Sequence, residues 1–115
     1  MDDRELLELA AKAAGIGGEW SADGCDDRGQ SCGIKVDPNY IWNPLTDDGD
    51  ALRLAVACKI AINPMTVDGL NRDRHETTAG CVKRWMACIE KHGGDPFAAT
   101  RRAIVRAAAA IGRTK

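Results

Sequence analysis

Apolar positions recur with helical spacing near both ends and in the middle of the chain, and with shorter, extended spacing between. Leu6, Leu7, Ala10, Ala13 and Ala14 share one face at the 3.6-residue period, which predicts a helix over residues 3–14. Asp2 or Asp3 caps it, and acids crowd its first turn, where the helix dipole favours them. Gly15 suits the left-handed stop, with Ile16 folding back on the last turn.

Residues 17–39 lose that period. GEWSADG and CGIKVD flank the polar run CDDRGQS, which predicts a weak β-hairpin. Ile34 and Val36 alternate with Lys35 as on a half-buried strand, and Pro38-Asn39 turns the chain. Tyr40 to Trp42 is apolar and extended. Pro44 disfavours helix at Asn43, so Thr46 or Asp47 caps the next helix, which runs to about residues 57–59. Asp47 and Asp50 have capping-box spacing, with Asp in place of Glu. Leu52, Ala55 and Val56 make one apolar face and Leu54 and Cys58 another, so this helix is expected to be covered on more than one side.

IAINPMT, residues 60–66, predicts a strand ended or edged by Pro64, and residues 68–80 a long polar loop. Residues 82–91 fit both a helical stripe (Val82, Trp85, Met86, Ile89) and strand alternation (Trp85, Ala87, Ile89). After Gly93-Gly94, Asp95 caps a last helix with Pro96 at its first position, ending at Gly112. Its stripe is Phe97, Ile104, Ala108 and Ile111, within about 60° of each other, and Arg101 lies among them. Arg102 and Arg106 lie on the opposite side and are expected to stay solvated.

These elements predict an α+β fold, a small mainly antiparallel sheet packed by three helices in the order α-β-β-α-β-β-α. With 115 residues they make a single compact domain. Aromatic residues are 4% of the chain, so aliphatic side chains and alanine must fill most of the core. No apolar run is long enough to span a membrane, and the acidic start lacks a signal pattern, so the expected location is the cytoplasm of a bacterial host.

Charge is split: residues 1–50 carry net −8 and residues 51–115 net +7, for −1 overall. Folding of the halves against each other would cancel most of this field. The alternative is a basic last-helix face for nucleic acid or an acidic protein. The five cysteines, Cys25, Cys32, Cys58, Cys81 and Cys88, are odd in number and have C-x6-C spacings poorly suited to zinc; they are expected to be free thiols.

The sequence lacks a nucleophile elbow, a P-loop and a dinucleotide fingerprint. Thr46-Asp47-Asp48-Gly49-Asp50 could offer oxygens to magnesium, but acids at a helix start are explained by capping. Trp42 fits a core plug better than a stacking platform. An arginine drawn into an apolar face needs a partner, so Arg101 is expected to tie the last helix to the acids opening the middle one, or to carbonyls of the NPLT turn.

At WNPLTDDGDALRLAV (residues 42–56) and GDPFAATRRAIVRAAAAIG (residues 94–112), together with MDDRELLELAAKAAGI, the chain resembles a group of small bacteriophage and prophage proteins. The resemblance implies a compact α+β domain with an extended segment before the last helix, which favours a strand at residues 82–90. It brings no activity, cofactor or catalytic residue. The resulting expectation is a non-enzymatic accessory protein without cofactor or metal, acting on a host or phage protein or on a second copy of itself. The candidate structural or interaction residues are Trp42, Asp47, Asp50, Arg101, Arg102 and Arg106. The alternative is a nucleic-acid-associated protein using Arg101, Arg102, Arg106, Arg113 and Lys115.

Overall fold

A computed structural model describes residues 2–21, 32–64, 75–81 and 86–115. Along it run α1 (Asp3–Ala14), β1 (Glu19–Ser21), β2 (Gly33–Asp37), β3 (Tyr40–Trp42), α2 (Asp48–Cys58), β4 (Ala61–Asn63), β5 (Glu76–Cys81), β6 (Met86–Lys91) and α3 (Pro96–Arg113). The class is α+β with antiparallel pairing. Each stretch between helices carries three strands, and the strands form two meanders, β1-β2-β3 and β4-β5-β6. The extra strands are β3, which the sequence marks as extended, and β5, which falls in the expected polar loop.

Helix ends follow their caps. Asp2 accepts the Glu5 amide at 2.8 Å, and Gly15 ends α1 at φ +73°, where the Ile16 amide reaches the Ala11 carbonyl at 2.9 Å. Asp95 accepts the amides of Phe97 (3.0 Å) and Ala98 (3.1 Å) at the start of α3. Gly112 does not stop α3, which continues to Arg113.

The core is built around α3. Ala103, Ile104, Val105, Ala107, Ala108, Ala109 and Ile111 are all buried, because α3 touches α1, α2, β5 and β6. A central helix is apolar on most of its circumference, more than the narrow stripe predicts. Phe97, in the first turn, lies outside that contact and is 68% exposed, against the expected stripe.

Three contacts fix how α1 meets α3. Asp3 pairs with Arg102 at 2.9 Å, the Leu9 backbone lies against Gly112, and Ala13 accepts from Lys115 Nζ at 2.8 Å. Their order is the same on both helices, so the two run parallel. A Cβ on Gly112 would collide with the Leu9 carbonyl, so glycine is what admits this close approach.

Trp42 and Ile34 face each other across β2 and β3 and are both buried. Val36 is exposed, not half-buried as its alternation predicts, because the register shifts between Lys35 and Asp37. On the second sheet, β5 alternates, with Thr77, Ala79 and Cys81 buried. The Thr77 hydroxyl lies 2.9 Å from His92 Nε2 and 2.7 Å from Thr100 Oγ1, which ties β5 to α3. Strand β6 occupies most of residues 82–91, as the extended reading requires; residues 82–85 lie outside the described residues.

In α2, Ala51, Leu54 and Ala55 point inward, while Leu52 (60% exposed) and Val56 (70%) face solvent. The helix is therefore covered on one side, not on the two expected. Cys32 is disulfide-bonded, which overturns the expectation of free thiols throughout. Cys58, Cys81 and Cys88 are free, and Cys25 lies outside the described residues. No described helix is long and apolar enough to cross a membrane.

Candidate functional site

Asp50 organises the start of α2. The expected capping box forms only in one direction: Asp47 accepts the Asp50 amide at 2.8 Å, but the Asp50 carboxylate does not return the bond. It turns inward instead, 2% exposed, and accepts from the Tyr40 hydroxyl, the Asn43 amide (2.9 Å) and Arg53 Nη2 (2.8 Å). A buried carboxylate is costly unless donors surround it, and here three do.

Asn43 is the backbone counterpart. Pro44 holds it extended, and its side chain then bridges the surrounding chain. Nδ2 donates to the Cys32 carbonyl at 2.7 Å, and Oδ1 accepts the Leu45 amide at 2.9 Å. Its own carbonyl accepts the amides of Thr46 and Asp47. The NPLT turn is therefore held by Cys32, just before β2, and by Asp50 of α2.

Arg101 closes the same place from α3. Its side chain is 17% exposed; Nε donates to the Leu45 carbonyl at 2.8 Å and Nη1 to Asp48 at 2.6 Å. Both acceptor types expected for it, a carboxylate and an NPLT carbonyl, are engaged together.

Tyr40, Asn43, Asp47, Asp50, Arg53 and Arg101 thus line one cleft of 680 Å³. Burial, and then the hydrogen bond to Asp50, push the Tyr40 phenol above its ordinary range. The hydrogen bond to Asp50, and then the one to Tyr40, raise Arg53 further. The cleft is a pre-organised set of donors and acceptors, but both of its carboxylates, Asp47 and Asp50, already have partners. Among the described residues, no group of three or more histidine, cysteine, aspartate or glutamate side chains is placed to hold a metal ion.

Of the residues singled out from sequence, Asp47, Asp50 and Arg101 come together here. Trp42 does not; it sits in the core beside a smaller apolar hollow lined by Ile16, Val36, Tyr40 and Leu54. Arg102 and Arg106 line a separate groove of 420 Å³. Both stay partly in solvent, as expected, but neither is unpaired: Arg102 is held by Asp3, and Arg106 by Glu90 (2.9 Å) and the Ile89 carbonyl (3.2 Å). Tyr40 and Arg53 were not among the sequence candidates. The Asp50–Arg53 spacing of three was a usable signal, since it puts both on one helix face.

Comparisons with family models, with curated proteins and with solved structures find no match for this chain.

Proposed function

We propose that this chain is a non-enzymatic phage or prophage accessory protein that works in the host cytoplasm by binding another protein. What carries the proposal is the exchange of roles on the helix surfaces. The α3 arginines 101, 102 and 106 are held by carboxylates of the chain itself, while Leu52 and Val56, one turn apart on α2, stand in solvent. Neutralised guanidiniums weaken the electrostatic footprint that nucleic-acid binding needs. Adjacent exposed aliphatics are a surface that another protein can cover.

The test is affinity purification of the tagged protein from infected or lysogenic cells, with and without nuclease. A partner retained after nuclease treatment, and lost in Leu52→Asp/Val56→Asp, supports this function. Retention that disappears with nuclease, or that falls steeply with salt on immobilised DNA or RNA, favours nucleic acid and overturns it.

A further inference from the structure

The groove that holds Arg102 and Arg106 has the layout of a peptide site. Its floor is α3, with Ala109, Ala110 and Arg113 beside the two arginines; Leu6 of α1 forms one wall, and Cys88 and Glu90 of β6 the other. Among the described residues, β6 is an outer strand of its sheet, paired with β5 on one side. It is six residues long, enough to template another strand. Arg102, Arg106 and Arg113 line this groove beside Glu90, and Asp3 meets Arg102 there at 2.9 Å.

We propose that the groove takes an extended acidic segment of a partner protein, which adds a strand to β6 and places its carboxylates on Arg102 and Arg106. This rests on the protein-binding function above and names the chemistry of the partner. The chain already shows the chemistry at both walls. Asp3 of α1 occupies Arg102 and Glu90 of β6 occupies Arg106, and both pairs are open to solvent. Such solvent-exposed pairs are weak, so an incoming carboxylate can replace them. Arg106 also caps the Ile89 carbonyl on the edge strand, so its release would free that acceptor for an incoming backbone amide. The edge strand favours a polypeptide over a phosphate backbone, because a nucleic acid has no amide ladder to offer.

The probe is a short fluorescent peptide of alternating glutamate and valine, titrated by anisotropy against the full chain. Arg102→Glu/Arg106→Glu should weaken binding by about tenfold or more, and Lys12→Glu/Lys35→Glu, with the same change in net charge, should not. Circular dichroism checks folding, and Arg106→Gln replaces the reversal if the double variant unfolds. Bound peptide should protect Cys88 from alkylation and leave Cys58 unchanged. Equal losses in both double variants, unprotected Cys88, or displacement of the peptide by oligothymidylate would each overturn the proposal. A nuclease-resistant partner still captured by Arg102→Glu/Arg106→Glu would overturn it too, while leaving the protein-binding function standing.

Discussion

Arg101 and Asp48 stand 53 positions apart in the chain, and guanidinium and carboxylate meet at 2.6 Å. The two ends of this bridge differ. Asp48 is 71% exposed and adds little, whereas the Leu45 carbonyl is bound by a guanidinium largely out of water. Arg101→Ala should therefore cost about 1–3 kcal/mol in urea melts, and Asp48→Ala less than about 1 kcal/mol. Arg106→Ala, at a more exposed pair, should also stay below about 1 kcal/mol. Equal, negligible losses at Arg101 and Arg106 would show that the bridge does not hold α3 to the turn.

The Tyr40 hydroxyl carries a pH dependence. Its pKa is raised in the folded chain, so the native state keeps a proton that the unfolded chain loses. Its contribution is fully present below the unfolded value near 10 and is lost as pH rises through the folded one. Stability should decline as pH rises above about 10, and Tyr40→Phe should decline less steeply. Parallel slopes for the two proteins in chemical denaturation would refute the coupling.

Asp50→Ala should be the costlier change in the same cluster. It leaves the Asn43 amide buried without its acceptor, a loss of about 1–3 kcal/mol, and releases Tyr40 and Arg53 as well. Thermal unfolding of Asp50→Ala, Asp47→Ala and the unmodified chain should rank Asp50→Ala as least stable.

Gly112→Ala adds one methyl group where α1 leaves no room. Relief requires α1 and α3 to separate along their contact, a cost of about 1–3 kcal/mol for overpacking. Gly94→Ala meets no such neighbour and serves as the control. A Gly112→Ala melting point equal to that of Gly94→Ala would rule out the close approach.

Alkylation mapped by mass spectrometry should separate the cysteines into two classes. In denaturant without reductant, Cys58, Cys81 and Cys88 should label and Cys32 should not. In the native protein Cys58 should react slowly, because burial pushes its thiol up and lowers its thiolate fraction.

The parts of the fold that could be read in advance are those in which one residue type answers one local need. Asp2, Asp47 and Asp95 each precede a helix and supply the acceptor its first amides lack. Arg101 was legible because a cation inside an apolar stripe demands an acceptor. What stayed hidden depends on residues far apart in sequence or on weak patterns. Strand β5 is written in Thr77, Ala79 and Gly80, whose small side chains carry little hydrophobic alternation. The side of α2 that faces the core could not be chosen, because aliphatics occur all round it and α3 decides between them. Asp50 looked like half of a capping box; its inward turn needed the position of Tyr40, ten residues away.

The parallel pairing of α1 with α3 sets the order in which this chain can fold during synthesis. Leu6, Leu7 and Ala10 leave the ribosome well before the helix beside them, with contacts such as Asp3–Arg102 spanning 99 positions. Such contacts have high sequence separation, and closing them costs loop entropy before packing returns it. The first helix must therefore wait with its larger contact, the one to α3, unmade while both meanders are formed. A nascent chain arrested before α3 emerges should remain protease-sensitive in α1 even where β1, β2 and β3 have already paired.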